Sequence, residues 1–281
     1  MLRRLRARVA AGTPIIGAGA GTGISAKFAE RGGADLLVVY NSGRFRMAGR
    51  GSLAGMMPYG DANAIVVDMA REILPVVQTI PVLAGVCGTD PFRRMPVFLR
   101  EIQSLGFHGV QNFPTVGLID GLFRQNLEET GMGYGLEVDM IRHARGLDLL
   151  TCAYVFDADS AEQMTDAGAD LVVAHLGLTT SGSIGAQTSV TLEEAPARVA
   201  AIRDAARGVS RDVLVLCHGG PLADADDAEY VLSRTPGIEG FLGASSIERL
   251  ATERAIEKET RRFRELKLAP PKVSRKSRPR T

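Results

Sequence analysis

The hydrophobic positions of this chain gather into short unbroken runs, with little polar–apolar alternation inside them. Eight stand out: TPIIGAG (13–19), DLLVVY (35–40), PVLAGVC (81–87), GVQNF (109–113), LLTCAYV (149–155), DLVVAHL (170–176), DVLVLCH (212–218) and IEGFLGA (238–244). A strand covered on one face alternates, whereas a strand of a parallel sheet, covered by helices on both faces, is apolar throughout. The runs therefore predict eight buried parallel strands. Segments of helical period lie between them. GISAKFAERGG has Thr22 or Ser25 as its cap and Gly32-Gly33 as its stop; DANAIVVDMAREILP has Asp61 as N-cap and Pro75 just past its end. In MPVFLREIQSLG, Pro96 falls in the first turn, where a missing N–H is tolerated. DADSAEQMTDAGAD, LEEAPARVAAIRDAARG, DADDAEYVLSRTPG and SIERLATERAIEKETRRFREL complete the set. Glycine C-caps lead into strands two, four, six and eight, in the cadence GGAD, GFHG, GAD and PGIEG.

Eight strands each followed by a helix predict an α/β fold: a single-domain (β/α)8 TIM barrel over residues 13–268, with long loops after strands 2 and 4. An open doubly wound sheet is the competing arrangement. Residues 1–12 read as an N-terminal extension. Residues 269–281 read as a basic, Pro-rich tail with no apolar face, expected to be disordered.

Composition narrows the classes. The 281 residues and 45% hydrophobic content suit one large core. A formal charge of +1 argues against nucleic-acid or membrane binding. The basic start MLRRLRARVAAGTP lacks the apolar segment of a secretory signal, and no run is long enough to span a bilayer. Cys87, Cys152 and Cys217 each sit in or beside an apolar run with no CxxC pair, which predicts reduced thiols in a cytoplasmic protein.

In a barrel of this kind the chemistry sits at the C-terminal ends of the strands. Those ends are rich in Gly, Ser, Thr, Asn, His and Asp. HGGP and GASS close strands seven and eight, where barrels often bind phosphate. Gly219 and Gly220 would let backbone approach a ligand, and Ser245 and Ser246 would add hydroxyls; the alternative is two tight turns and a cap. His175 and His218 each end a strand and read either as acid–base groups or as packed, satisfied side chains. His108 and His143, on the opposite side, read as structural. Tyr154 ends strand five. Asp90 after strand three suits a Mg²⁺ site, which needs only one or two carboxylates, or else an Asp-Pro turn. Asp120, Glu128 and Glu129 lie in a long connection after strand four that reads as a lid or a subunit contact.

YNSGRFRMAGRGSLAG after strand two brings Arg44, Arg46 and Arg50 into a glycine-rich loop. Arg50 reads as surface. Arg44 and Arg46 suit bidentate binding of carboxylate or phosphoryl oxygens, with Asn41 and Ser42 beside them. GAGTG (17–21) lacks GxGxxG spacing, and no acid ends strand two; no nicotinamide, flavin or pyridoxal cofactor is expected. Lys27 is the single lysine of the first 257 residues, so Schiff-base aldolase chemistry is not expected.

YNSGRFRMAGRGSLAG, PYGDAN, VLAGVCGTDPF, GVQNFPTVGLIDG, NLEETGMGY, AHLGLTTSGSIGA and CHGGP together resemble the phosphoenolpyruvate hydrolase-like family, from about Gly12 to the final helix. These are TIM barrels grouped with the phosphoenolpyruvate/pyruvate-binding barrels, and similar to the C-terminal barrel of a plant tobamovirus-resistance protein. The resemblance implies a phospho- or phosphonopyruvate-like substrate, hydrolysed to pyruvate and phosphate. It also implies Mg²⁺ held by acids near the central strand ends. Asp90 fits that pattern, whereas strand four ends in Gln111 and Asn112. Relatives with the barrel behind another domain imply a separate partner chain as one arrangement.

The expected protein is thus an enzyme acting on a small anionic substrate. Arg44 and Arg46 would clamp it, Asp90 would place Mg²⁺, His218 or His175 would move a proton, and Asn112 and Tyr154 would help bind it. Metal-dependent C–C cleavage and a non-catalytic ligand-sensing or partner-binding barrel are the alternatives. Met56, Met57 and Phe123, outside the barrel core, suggest a homo-oligomer.

Overall fold

All eight apolar runs are strands in the computed structural model, which describes residues 1–269; the tail read over 269–281 lies outside them except for Ala269. The chain starts with α1 (Leu2–Ala10), β1 (Ile15–Ala20), α2 (Gly23–Arg31), β2 (Leu36–Val39), α3 (Asn41–Met47), α4 (Ala62–Ile73) and β3 (Val82–Val86). It continues through α5 (Met95–Ser104), β4 (Gly109–Asn112), α6 (Gly121–Glu129), α7 (Gly135–Gly146), β5 (Leu150–Val155), α8 (Ala158–Asp166) and β6 (Leu171–His175). Then come α9 (Ala195–Val209), β7 (Leu214–His218), α10 (Ala225–Arg234), β8 (Gly240–Gly243) and α11 (Arg249–Arg264). The strands pair in parallel in chain order, and β8 pairs back onto β1, so the sheet closes into a (β/α)8 barrel.

Two apolar layers hold it. Inward side chains such as Ile15, Leu36, Val38, Leu83, Leu171 and Leu216 fill the barrel. Leu37, Val39, Ala84, Val172 and Val215 point outward and pack with the helices. The runs were unbroken because both faces of every strand are buried. Sequence caps operate as read. Thr22 makes a reciprocal capping box with Ser25, and Asp61 accepts the Ala64 N–H at 2.9 Å.

Three departures matter. Residues 2–10 are helical, and Leu5 joins the interior cluster with 1% exposure. The segment after β2 is no simple loop: Asn41–Met47 is α3, followed by a 3₁₀ turn at Ser52–Met56. Helix propensity there is poor, so tertiary contacts decide. The Asn41 side chain accepts the Ser42 N–H and donates to the Gly55 carbonyl, and Gly43 lies so close to Gly21 that a Cβ on it would sit 2.8 Å from the Gly21 Cα. The connection after β4 likewise contains α6 and leads into α7. Among the described residues no helix is long and apolar enough to cross a membrane. Cys87, Cys152 and Cys217 are all free.

Candidate functional site

Alternation along a strand decides which side chains enter the barrel. Stepping by two from the interior residues Leu36 and Val38 brings in Tyr40; from Leu150 and Cys152, Tyr154; from Leu171 and Val173, His175; from Leu214 and Leu216, His218. These four rings form the last inward layer at the strands' C-terminal ends. β6 and β7 pair in the register His175↔His218, and their imidazoles stand 4.8 Å apart. The Tyr154 ring lies 4.8 Å from His175 and 5.0 Å from His218. Gly85 leaves room for Tyr40, since a Cβ there would fall 2.9 Å from the Tyr40 ring.

These rings line a cavity of about 320 Å³. Ser42 and Arg46 of α3, Ser52 of the 3₁₀ turn, and Ser245 and Arg249 beyond β8 line it too. The connection 176–194 adds Leu178, Thr179, Ile184, Gly185 and Ala186. That connection is tied down at both sides. Arg249 donates to the Ser181 carbonyl at 3.0 Å, Glu253 accepts from the Ser183 N–H and hydroxyl, and the Thr180 N–H donates to the Gly220 carbonyl at 3.0 Å. The lid expected after β4 is therefore supplied mainly after β6. From the β4 connection only Phe113 and Leu118 reach the cavity.

Hydrogen bonding fixes the tautomers of the two histidines. His218 Nδ1 lies 2.6 Å from the Leu242 carbonyl oxygen. A carbonyl only accepts, so Nδ1 carries the proton, and Nε2 of the neutral ring is an acceptor 3.2 Å from Tyr154 Oη. His175 is the opposite tautomer. Its Nδ1 accepts the Gly177 N–H at 3.1 Å, which leaves the proton on Nε2. Burial holds both rings below the usual histidine range, His175 well below and His218 at about 4, with the neighbouring His218 adding to the effect at His175. At neutral pH the cavity thus meets one imidazole donor and one imidazole acceptor. Tyr154 Oη continues to Tyr40 Oη at 2.9 Å, and Tyr40 donates to Gln111 Oε1.

Arg46 is buried, 4% exposed, and Glu248 holds it: Nε and Nη2 donate to Glu248 Oε2 at 3.3 and 3.1 Å, and Nη1 donates to Ser42 Oγ at 3.1 Å. Glu248 Oε1 takes the Gly21 N–H and the Ser25 hydroxyl. In GAGTG it is Gly21 whose N–H meets an acid, the protein's own Glu248. Arg46 has five N–H groups, and three are engaged, which leaves one each on Nη1 and Nη2 for a ligand.

Other expected site residues lie elsewhere. Arg44 is half-exposed and pairs with Asp68 at 2.7 Å, outside the cavity lining. Asn112 braces β4 to β5: it accepts the Tyr154 N–H and donates to Glu137, a fully buried carboxylate. Asn41 holds α3, as described. Gly219 and Gly220 adopt positive φ to pack against the β6 connection, where a Cβ on Gly219 would meet the Gly177 oxygen at 2.3 Å. Ser245 lines the cavity, 3.2 Å from Ser52 Oγ, whereas Ser246 faces a separate groove beside α10. The two-loop phosphate cup therefore reduces to Ser245. Met56 turns inward to the cavity. His108 accepts the Val82 N–H, a structural role as expected.

Asp90 is also displaced from its expected task. Its carboxylate takes the Asn63 amide, the Phe92 N–H and the Arg93 guanidinium at 2.9, 2.9 and 2.6 Å. Burial opposes ionisation there, but these three bonds outweigh it and hold the carboxyl below its usual range. Asp90 does not line the cavity, and neither does any other Asp or Glu. Among the described residues no three His, Cys, Asp or Glu side chains converge on a metal position. Mg²⁺ takes hard oxygen ligands, usually a carboxylate or two, and these residues do not fit it.

Sequence reading missed Tyr40, Ser52, Glu248, Arg249 and the cover after β6. Tyr40 was legible, since it shares the parity of Leu36 and Val38. Glu248 and Arg249 carry no signal in SIERLATER, which reads as an ordinary helix start.

Comparison with known proteins adds the following. The family described as phosphoenolpyruvate hydrolase-like matches residues 1–266. The "ToMV susceptible protein tm-1(GCR26)" of Solanum lycopersicum is 62% identical over 268 residues, covering 95% of this chain and 36% of that protein. The chain thus spans about a third of the length of the curated relative it matches. Among solved structures, phosphoenolpyruvate phosphomutase from Streptomyces platensis subsp. rosaceus superposes with a TM-score of 0.59 at 18% identity, over 94% of this chain and 86% of that one. A phosphonopyruvate hydrolase complex with oxalate and Mg²⁺ gives 0.59 at 17% identity, with the same coverage of both chains. At such identities the likeness is one of fold.

Proposed function

The chain belongs to the phosphoenolpyruvate hydrolase-like family, and from that premise we propose that it is an enzyme hydrolysing a small phospho- or phosphono-oxoacid in the barrel mouth. The observation that supports this is the convergence on one 320 Å³ cavity of two arginines, three serine hydroxyls and a donor–acceptor pair of histidines. Arg46 and Arg249, each already paired with a glutamate, turn their remaining N–H groups to the carboxylate and to the phosphoryl or phosphonyl end. His175 Nε2–H donates to a ligand oxygen. Once its Nε2 carries a proton, His218, directly or through Tyr154, is placed to protonate the departing enolate as the P–O or P–C bond breaks and water supplies the new P–O bond.

The test is phosphate and pyruvate release from phosphoenolpyruvate and phosphonopyruvate, with and without Mg²⁺. Equimolar release supports the reading, and pyruvate without phosphate points to C–C cleavage instead. Neither product from an intact, ligand-binding protein removes the hydrolase assignment. A second reading, a ligand-sensing barrel, is favoured by one observation: the cavity wall offers no carboxylate as general base. The expected homo-oligomer keeps exposed Met57 and Phe123 as its candidate contacts.

A further inference from the structure

For a small dianion the cavity lacks compensating positive charge, and its hydrogen-bond chain lacks one donor; a single proton would supply the donor and offset one of the two charges. Consider charge first. Arg46 is paired with Glu248, and Arg249 with Glu253 at 2.9 Å. The two ion pairs cancel, and the remaining lining residues are neutral. Bringing a small dianion into this wall leaves its charge uncompensated, which desolvation penalises heavily. A divalent cation would compensate it, but among the described residues no cluster of carboxylates is placed to hold one, and Asp90 and Asn112 are engaged elsewhere.

Consider donors next. Gln111 Nε2 is turned to Cys152 Sγ at 3.3 Å, so Oε1 is the atom facing Tyr40, and it accepts the Tyr40 proton. Tyr40 Oη is then an acceptor for Tyr154. His218 Nε2, its Nδ1 proton committed to Leu242, is a second acceptor for the same Tyr154 proton. Tyr154 has one proton and two claimants. With a proton on His218 Nε2 the chain completes in one direction: His218 to Tyr154, Tyr154 to Tyr40, Tyr40 to Gln111. His175 behaves oppositely. Protonating its Nδ1 would break the bond from the Gly177 N–H.

We propose that the cavity binds its dianionic oxoacid together with one proton from solvent, held on His218 Nε2, in place of a divalent cation. This rests on the reading of the cavity as an anion site, and it supplies the proton that His218 would deliver. The groups facing His218 are Tyr154 of β5, His175 of β6, Tyr40 just past β2, and Arg46 of α3 with Glu248 behind it. The Leu242 carbonyl of β8 completes the set. None is an unpaired anion, so without ligand the ring stays neutral, mainly through burial. The ligand brings the missing negative charge.

The experiment is calorimetric titration of the metal-stripped protein with oxalate, which is fully ionised near neutral pH. It is run in buffers of different ionisation enthalpy, with and without excess Mg²⁺. The expected result is uptake of close to one proton per oxalate at pH 6.5, an affinity indifferent to Mg²⁺, and a Kd that rises as pH rises, by up to about tenfold per unit. His218→Gln abolishes the uptake, and His175→Gln retains it. Binding without proton uptake, or only with Mg²⁺, overturns the proposal and leaves the anion-site reading standing. Uptake that survives in His218→Gln overturns the assignment to His218. Failure of oxalate, phosphate and phosphoenolpyruvate to bind under every condition removes the anion-site reading and the proposal with it.

Discussion

Arg44 and Arg46 are two residues apart and of the same type, yet one is paired at the surface and the other is buried over the cavity. The turn of α3 separates them, and Glu248 selects Arg46. Arg46→Lys keeps the charge but loses the planar fork. It should lower oxalate affinity about 10- to 100-fold, as expected for one or two charge-assisted bonds. Arg44→Ala should leave affinity within about twofold, since it breaks only an exposed pair. Equal effects in binding titrations would contradict the assignment. Buried titratable groups also set a pH profile for the ligand-free protein. His175 and His218 have folded pKa values below the unfolded value of about 6.5, so falling pH protonates the unfolded chain first and stability is lost. Glu137 opposes this. Burial outweighs its bonds from Thr115, Asn112 and Val116 and raises it to about 7, so stability is lost as pH rises from 4.5 to 7. Two histidines against one carboxyl leave a net loss of stability as pH falls from 6.5 towards 4.5. Urea melts across that window check the slope, and a flat or inverted profile would sink it.

Among the elements, α3 and the cover after β6 separate legible from illegible structure. The pattern marked every strand because burial on both faces leaves a local signature. It left α3 unmarked, because seven residues containing Asn, Ser and Gly have no helix of their own to announce. A side chain placed at Gly43 would drive into Gly21, so Gly43→Ala should destabilise by about 1–3 kcal/mol and loosen Arg46 along with α3. Chemical denaturation measures the first effect and oxalate affinity the second. The cover is latched by Glu253 to Ser183. Glu253→Ala should speed amide exchange at residues 181–186 and raise the oxalate off-rate several-fold, while global stability falls by less than about 1 kcal/mol. Unchanged exchange in that segment would show that the latch is not what holds it.

For the molecule as a whole, the barrel's interior runs from Leu5 of α1 to the histidine–tyrosine layer at the other end. Leu5→Ala should cost about 2–5 kcal/mol in denaturant unfolding, a loss that an ornamental N-terminal extension would not produce. The sequence by itself determined the eight strands, their parallel order and the end at which chemistry gathers. It also put His175, His218, Tyr154, Ser42 and Arg46 near one another, because strand burial and strand-end composition are written locally. Only the tertiary structure decided which residues meet. It set Glu248 on Arg46 and Glu137 on Asn112, joining partners 202 and 25 positions apart. It also turned the two imidazoles to opposite tautomers through Leu242 and Gly177. The hydrogen-bond partners and the charge balance of the cavity belong to the closed barrel, because closure brings chain-distant ends within bonding distance.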